Sequence, residues 1–361
     1  MKTLFDRTSI NNIQLKNRFV RGATWENMAD SEGGVTDRLW KVYEELAEGQ
    51  VGLIITSYAF ILKEEQPNSG MLGIYSDSLI ADYGRLTDMI HSYGSSVIVQ
   101  LVYGGSQTLY KPEQRVIWGP SAVPEIGTGV VPKEMNKEEI KILVGAFGDA
   151  AFRAQQAGFD GVEIHASHGY LLGQWLSPLH NCRQDEYGGS IENRSRLLVE
   201  VYEEIRRRVG PDYGVLIKIN CQDFVPGGTE FADVLYVCKE LARHGMDAIE
   251  ISGGILAAKE LCAFRPNINC PEKEAYFEPY AAQIASETSI PVILTGGLRT
   301  MQVMERILEQ TPIQYFGMAR PLLAEPGLIK RWQKGDSMPS KCRYCNKCRT
   351  PEGNVCILNR D

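Results

Sequence analysis

The chain has 361 residues, of which 43% are apolar and 23% charged, and its formal net charge is −7. An acidic balance without a basic block argues against a nucleic-acid or anionic-membrane partner. The N-terminus lacks the apolar core of a signal peptide and no apolar run reaches the ~18 residues of a membrane span, so we expect a cytoplasmic protein with reduced thiols.

The first predicted element is a small β-hairpin. Two short alternating runs in residues 8–15 flank Asn11 and Asn12. Asparagine tolerates positive φ, which a tight turn between two strands requires. We expect this hairpin to seal the bottom of the main fold.

Eight short runs rich in Val, Ile or Leu follow along the chain and are predicted to be strands. They are residues 18–22, 52–56, 96–101, 161–165, 215–219, 248–252, 292–295 and 315–318. Amphipathic patterns lie between them, as in residues 137–157 and 194–209. This alternation predicts a (β/α)₈ TIM barrel. A doubly wound open sheet would more often carry a Gly-x-Gly-x-x-Gly turn after its first strand, and that turn is absent.

Two connections are unusually long, residues 102–136 and 166–191. Long loops in compact domains are usually functional, and in barrels the loops after the strands build the site. Residues 111–129 fit a surface insertion without function about as well. A Gly/Asp/Ser/Pro stretch at 335–340 places the domain boundary, so we expect a barrel over residues 1–335 and a cysteine-rich extension over 336–361.

The fourth strand ends in a group of polar side chains: His165, His168 and Tyr170. Two imidazoles and a phenol suit the binding of a carbonyl oxygen and the delivery of a proton beside it. A His-x-x-His pair can instead bind a catalytic metal, with Glu163 on the same side of the strand. Tyr170 could also be a packed aromatic whose hydroxyl is capped by backbone.

A phosphate site is predicted after strands seven and eight, where Gly296 and Gly297 follow one strand and the segment Gly317 to Arg320 follows the other. In barrels, backbone N–H groups of these two loops bind phosphate, and an arginine adds a forked donor. Ser252 and Gly253, after strand six, extend this amide-rich rim.

Lys218 lies inside an apolar strand, and Gln100 ends strand three. A lysine that points into the barrel needs a negative partner, which we expect to be a ligand group. Gln100 offers an amide donor and acceptor, although it could equally be a strand-end cap. An amide, a cation and a phosphate cradle together suit a planar heterocycle that carries a ribityl or ribosyl phosphate.

Four of the nine cysteines crowd the last twenty residues: Cys342, Cys345, Cys348 and Cys356. Their spacing suits a tetrahedral Zn²⁺ or a [4Fe–4S] cluster, and four free thiols are the alternative.

Taken together, these motifs resemble the old yellow enzyme family of FMN-dependent oxidoreductases over essentially the whole barrel. The matching segments are residues 15–18, 51–56, 119–124, 158–170, 176–178, 183–194, 295–297 and 317–320. The resemblance implies FMN on the C-terminal face of the barrel, NAD(P)H as reductant and a small unsaturated molecule as substrate. Hydride would pass from reduced flavin N5 to an activated C=C bond.

The resemblance also implies roles for individual residues. Gln100 and Lys218 would contact the pyrimidine edge of the flavin, with Lys218 in a place that is usually Arg. His165 and His168 would bind the substrate oxygen, and Tyr170 would donate the proton. The remaining flavin contacts implied are Ala23, Thr24, Trp25, Tyr58, His165, Ser252 and Gly253, with Gly296, Gly297, Gly317, Ala319 and Arg320 around the phosphate.

Two segments depart from the family pattern. Where many members keep a Cys or Thr near flavin N5, this chain has Trp25, with Thr24 one residue earlier. Where relatives read His-Ala-Gly-Arg after the glutamine, it reads Tyr-Gly-Gly-Ser at residues 103–106. The resemblance therefore does not imply which residue tunes the flavin, and it does not imply which residues of the 103–106 loop contact the substrate.

The cysteine tail resembles the iron–sulfur branch of the family, the trimethylamine dehydrogenase and 2,4-dienoyl-CoA reductase group. Its last interval is shorter than in that branch. The leading hypothesis is an NAD(P)H-dependent ene-reductase. One alternative is an iron–sulfur flavoprotein dehydrogenase that passes electrons to a partner, and another is a metal-dependent lyase or hydrolase that uses His165 and His168. A homo-oligomer is compatible with each of them.

Overall fold

A computed structural model describes residues 2–360 of the chain. The strands are β1 (Thr8–Ile10), β2 (Ile13–Leu15), β3 (Phe19–Arg21), β4 (Leu53–Phe60), β5 (Leu72–Gly73), β6 (Ser96–Val102), β7 (Trp118–Gly119), β8 (Lys133–Glu134), β9 (Gly161–Ala166), β10 (Gly214–Asn220), β11 (Ala248–Ser252), β12 (Val292–Leu294) and β13 (Tyr315–Met318). The helices are α1 (Asp37–Glu48), α2 (Ile80–Ser92), α3 (Lys137–Gln156), α4 (Leu171–Leu176), α5 (Ile191–Arg194), α6 (Arg196–Val209), α7 (Phe231–His244), α8 (Glu278–Glu287), α9 (Met301–Gln310), α10 (Arg320–Ala324) and α11 (Leu328–Gln333).

Eight parallel strands close into a barrel. The strand order is β3, β13, β12, β11, β10, β9, β6 and β4, and β4 pairs again with β3. Phe316 of β13 lies opposite Phe19 of β3, and Val20 of β3 lies opposite Leu53 of β4, so no barrel strand is left with an open edge. The (β/α)₈ prediction is confirmed, and the eight strands lie where the apolar runs placed them.

The helices around the barrel follow from local sequence signals. Helix α3 begins with a capping box, in which the Asn136 side chain accepts from the backbone N–H of Glu139 and the Glu139 carboxylate accepts from that of Asn136. Its apolar stripe, which includes Ile140, Leu143 and Phe147, is buried against the barrel. Burial of this stripe fixes the face that α3 turns to the strands.

The N-terminal hairpin closes the bottom of the barrel as predicted. Strands β1 and β2 pair antiparallel, and Asn11 between them has φ +47°. Ile10, Ile13 and Leu15 form one apolar cluster with barrel residues such as Leu216. This cluster excludes water from the end of the barrel that lies opposite the strand C-termini.

The two long loops, after β6 and after β9, are fastened to each other. Arg183 donates through Nη1 to the carbonyl oxygens of Pro120 (3.1 Å) and Met135 (2.7 Å). His180 Nε2 lies 2.7 Å from Glu125 Oε2, and both side chains are buried. The inserted segment at residues 111–129 is therefore anchored to the rim of the C-terminal face through Glu125.

The segment after α11 crosses the C-terminal face of the barrel. The backbone N–H of Asn354 donates to Glu26 O (2.7 Å), and Tyr344 Oη donates to Leu298 O (2.7 Å). Asn267 N–H donates to Tyr344 O (3.1 Å). The tail thus bridges the loops that follow β3, β11 and β12. The predicted division between residues 335 and 336, as a statement about independent folding, stays a prediction.

None of the described helices is both long enough and apolar enough to cross a membrane.

Candidate functional site

A cavity of about 430 Å³ opens at the C-terminal ends of the barrel strands. Eleven of the predicted flavin or catalytic residues line it: Ala23, Thr24, Trp25, His168, Lys218, Ser252, Gly296, Gly297, Gly317, Ala319 and Arg320. Five others, Tyr58, Gln100, His165, Tyr170 and Gly253, are not part of this lining but belong to the elements around it. Residues of five different βα connections, Lys218 of β10 and residues of the tail are brought together here, as expected for a barrel site.

The two histidines lie side by side at the end of β9. Their ring centroids are 5.3 Å apart and the rings are nearly perpendicular. His165 Nδ1 lies 3.0 Å from Ser167 Oγ, and His168 Nε2 lies 2.7 Å from Ser252 Oγ. One nitrogen of each ring is thus occupied by a serine, and the other nitrogen of each makes no hydrogen bond within residues 2–360.

Both imidazoles are neutral at physiological pH. Burial lowers the pKa of His165 well below its ordinary value, and the neighbouring His168 ring and Lys218 ammonium reinforce that shift. Burial and the charge of Lys218 lower the pKa of His168 to about 3. A neutral imidazole whose one nitrogen accepts from a serine hydroxyl carries its proton on the other nitrogen and can donate it to a ligand.

Tyr170 lies beside the histidines, with its ring centroid 4.9 Å from that of His165. Its hydroxyl is 3.3 Å from Tyr58 Oη, and Asn68 Nδ2 donates to both tyrosine hydroxyls at 3.2–3.3 Å. The partners of the hydroxyl are therefore side chains, in contrast to the backbone cap considered above. Burial raises the pKa of Tyr170, so its hydroxyl keeps its proton at neutral pH.

Lys218 lies in a buried charge cluster that the strand register creates. Its Nζ is 3.0 Å from Glu250 Oε1 and 3.6 Å from Glu163 Oε1. Gln100 Nε2 donates to Glu163 Oε1 at 2.6 Å. The prediction that a ligand must supply the negative partner of Lys218 was wrong, because Glu250 on β11 lies directly opposite Lys218 and Glu163 on β9 lies opposite Leu216, two residues along the same face. Burial disfavours the Lys218 ammonium, but the two carboxylates outweigh it and raise the pKa of Lys218.

The buried charge cluster around Lys218 also bears on the hypothesis that His165 and His168 bind a catalytic metal. Glu163, the carboxylate considered as a ligand beside the histidines, is fully buried and engaged with Lys218 and Gln100. Burial, with the nearby Glu250 carboxylate, raises the pKa of Glu163 well above its ordinary value. Over residues 2–360 no three His, Cys, Asp or Glu side chains are arranged to hold a metal ion. The lyase or hydrolase hypothesis thus gains no observation in its favour.

The loop after β12, which also lines the cavity, has a conformation that suits glycine. Gly296 has φ +105° and Gly297 has φ +77°. A Cβ atom at either position would lie 2.8–2.9 Å from the ring of Tyr276. Only glycine fits at these two positions, and both residues line the cavity.

Arg320 begins helix α10 next to this glycine pair. Its Nη1 donates to Arg265 O at 3.0 Å and to Asn346 Oδ1, and its guanidinium lies 4.3 Å from the ring centroid of Tyr344. Within residues 2–360, Nε and Nη2 of Arg320 have no protein acceptor. Tyr344 and Asn346 of the tail therefore hold the guanidinium in place, and its Nε and Nη2 remain available to a ligand in the cavity.

The four tail cysteines lie together. Cys342, Cys345, Cys348 and Cys356 line one small pocket, which shares Arg320, Tyr344, Asn346 and Cys348 with the large cavity. All nine cysteines are free thiols. Burial raises the pKa of Cys342 to about 11. Within the part of the chain that the structure describes, no three of these thiols are arranged to hold a metal ion, so a zinc or iron–sulfur site at these residues stays a prediction.

Several residues of the site had no place in the sequence analysis: Asn68, Glu250, Tyr276, Tyr344, Asn346, Arg349 and Asn354. Glu250 could have been found, because a charged residue within the apolar run of β11 is as unusual as Lys218 within β10. The others lie in loops or in the tail, and their approach to the cavity depends on packing between distant segments.

Comparison with known proteins now gives this site a context. Residues 3–338 match the model of the NADH:flavin oxidoreductase / NADH oxidase family. The chain belongs to this family. The predicted resemblance to old yellow enzyme is thereby confirmed for the barrel.

Individual relatives of the family differ in length. An NADPH dehydrogenase of Bacillus licheniformis is 33% identical over 327 residues, which cover 90% of this chain and 92% of that protein. An NADH oxidase of Thermoanaerobacter brockii is 33% identical over 350 residues, 95% of this chain but 52% of that protein. Among solved structures, 2-naphthoyl-CoA reductase in complex with 2-naphthoyl-CoA has a TM-score of 0.89 and 25% identity, over 99% of this chain and 57% of that one. This flavin oxidoreductase chain thus spans about half the length of some relatives.

Proposed function

We propose that the cavity holds FMN and that the protein is an NAD(P)H-dependent oxidoreductase that reduces an activated C=C bond. The residues present fit FMN. The backbone of Gly296 and Gly297, with the free N–H groups of Arg320, suits one phosphate. Lys218 and the Glu250 carboxylate, whose Oε2 is buried without a partner, offer a donor and an acceptor to a polar ring edge.

The bound flavin would supply the redox chemistry, taking hydride from NAD(P)H and giving it to the alkene. The protein would supply position, hydrogen bonds and a proton. Relatives that are described as NADPH dehydrogenase and NADH oxidase support a nicotinamide reductant.

The histidine pair would bind the electron-withdrawing oxygen of the substrate. The nitrogens of His165 and His168 that are not occupied by serine are available as neutral donors. Two donors at one oxygen stabilise the negative charge that develops on it when hydride reaches the β-carbon. Because the imidazoles are neutral, they polarise the substrate without delivering their own charge to the cavity.

Tyr170 would donate the proton to the neighbouring carbon. The observation that carries the proposal is this juxtaposition: a protonated, buried phenol with its ring 4.9 Å from an imidazole that can hold the substrate oxygen. Tyr58 and Asn68 would hold the hydroxyl in position.

The direct test is anaerobic stopped-flow spectroscopy of the purified holoprotein. The cofactor released by heat should be FMN, NAD(P)H should bleach it, and an alkene conjugated to a carbonyl should restore the oxidised spectrum. The nitro analogue of that alkene should restore it as well. Recovery of FAD, or flavin that NAD(P)H reduces but none of these alkenes reoxidises, would overturn the proposal.

A second candidate has a specific observation in its favour, an iron–sulfur flavoprotein that passes electrons to a partner. The four tail cysteines line one pocket, and that pocket shares four residues with the proposed flavin cavity. A cluster there would lie close to the flavin. Metal and acid-labile sulfide analysis, with EPR of the dithionite-reduced protein, distinguishes the cases. About four irons per chain would support the cluster, and one zinc per chain would support a structural site. The absence of both metals would reject both proposals.

A further inference from the structure

One cation of the tail lies at the edge of the cavity. Arg349 follows Cys348 and lines the cavity together with Trp25. Its guanidinium carbon is 5.4 Å from the ring centroid of Trp25. Trp25 itself is held from two sides, because its Nε1 donates to Ser69 O at 2.9 Å and its carbonyl accepts from Asn354 Nδ2. The indole therefore provides a fixed surface on which the Arg349 guanidinium stacks.

The Arg349 guanidinium has no acidic partner in the part of the chain that the structure describes. Glu26, a buried carboxylate of this region, is paired with Arg21 at 3.0 Å. Burial raises the pKa of Tyr170 and of Tyr58, and the Arg349 charge opposes that rise at both hydroxyls. The field of this cation consequently reaches the end of the site where the proton donor lies.

The other charged side chains of the tail also favour an anionic ligand. Residues 341–360 carry five basic side chains, Lys341, Arg343, Lys347, Arg349 and Arg360, and one acidic side chain, Glu352. The first four of these cations are exposed. A chain with a net charge of −7 thus presents a locally positive rim beside the cavity. Neutral His165 and His168 add no positive charge of their own, so the cations of the cavity lining are Lys218, Arg320 and Arg349.

We propose that Arg349 binds a carboxylate of the substrate, so that the preferred substrates are unsaturated acids and not neutral enals or enones. This inference rests on the proposed function. A planar guanidinium with free N–H groups matches a carboxylate in a bidentate geometry. Stacking on Trp25 limits the orientations of the guanidinium, and the bound acid would be held with its C=C bond beside Tyr170.

The test is a binding measurement that needs no turnover. Two saturated probes of matched shape, 3-phenylpropanoate and 3-phenylpropanamide, differ in charge at the carboxyl position. Isothermal titration calorimetry of the oxidised holoprotein, at fixed ionic strength, gives Kd for each probe. The variants are Arg349→Gln, Arg349→Lys, which keeps the charge, and Lys347→Gln, a tail cation outside the cavity lining.

The wild type should bind the carboxylate about 10- to 100-fold more tightly than the amide, the range expected for a hydrogen bond to a charged group. Arg349→Gln should abolish this preference with less than about a twofold change for the amide, Arg349→Lys should keep part of it, and Lys347→Gln should keep all of it. Equal wild-type affinities, or an equal loss for both probes in Arg349→Gln, would overturn the inference.

The inference would also be overturned if Arg349→Gln changed KM for NADPH but the Kd of neither probe. The anion that Arg349 binds would then be a nucleotide phosphate. Failure of the proposed function would be seen in a different measurement, as reduced flavin that no alkene reoxidises. The ratio of the two Kd values measured by calorimetry does not depend on that reaction.

Discussion

At the scale of single residues, the proton on Tyr170 gives the sharpest prediction. Tyr170→Phe removes the acid but keeps the ring, so we expect reoxidation of reduced flavin by an unsaturated carbonyl substrate to slow by ~10²–10⁴-fold. Reduction of the flavin by NAD(P)H should stay near wild type, because that step needs no proton from this residue. Stopped-flow measurement of the two half-reactions separates the effects.

Tyr58→Phe is the matched control for this prediction. Tyr58 lies 3.3 Å from the Tyr170 hydroxyl and would position it without donating to the substrate, so its loss should slow reoxidation much less. Equal effects of the two variants, or none in Tyr170→Phe when reoxidation limits the rate, would make Tyr170 a packing residue.

A second prediction at this scale concerns pH. The pKa of His168 is lowered to about 3 from 6.5 by burial and by Lys218, so the ring is neutral above pH 5 and protonates only as the pH approaches 3. Affinity for the neutral probe 3-phenylpropanamide should therefore stay constant, within about twofold, between pH 5 and 8. Calorimetry at half-unit intervals measures it.

The control for the pH series is His91, whose pKa is raised by its hydrogen bond to Asp160 and which lies on α2, outside the cavity lining. An inflection near pH 6–7 that persists in His91→Asn but disappears in His168→Asn would show that His168 titrates in the accessible range. That result would contradict neutral anchoring of the substrate.

At the scale of elements, the tail holds a residue of the proposed phosphate site. Arg320→Ala should weaken FMN binding by about 1.5–3 kcal/mol, the range for a hydrogen bond to a charged group. Asn346→Ala removes one of the two acceptors of Arg320, together with the Asn346 bond to Phe264 O, and should weaken FMN binding by about 0.5–1.5 kcal/mol. Fluorescence titration of apoprotein with FMN measures both.

Lys341→Ala is the control for this pair, since Lys341 is exposed and outside the lining of either pocket. It should leave the Kd of FMN unchanged. If Asn346→Ala also leaves the Kd of FMN unchanged while Arg320→Ala does not, the contact with Asn346 is not needed to position the guanidinium.

At the scale of the whole molecule, the barrel and the tail should separate in a truncation. Hydrogen bonds between barrel strands lie entirely within residues 19–318, so a chain ending at residue 335 should fold with a barrel-like far-UV circular dichroism spectrum. The cavity would lose the wall formed by Tyr344, Asn346 and Asn354, and FMN affinity should fall about 10-fold or more.

The matching control is a chain that ends at residue 359, which keeps the wall and should bind FMN like the full chain. Wild-type FMN affinity in the shorter truncation would show that the barrel alone forms the flavin site. A shorter chain without a folded spectrum would contradict the predicted boundary at 335.

The sequence by itself determined the barrel, the hairpin and the position of most of the cavity. Period-two and period-3.6 apolar patterns are local, and parallel strands carry their C-termini to one face, so polar residues that follow strands converge there. For this reason His165, His168, Gly296 and Arg320 could be named before their distances were known.

Only the tertiary structure decided which charges meet. The partners of Lys218 are Glu163 and Glu250, and their pairing follows from the register between β9, β10 and β11, which no single strand specifies. Asn346 and Arg349 reach the cavity because the tail folds back over loops that lie 80 to more than 320 residues away along the chain. Such contacts depend on packing between distant segments, and local propensity carries no information about them.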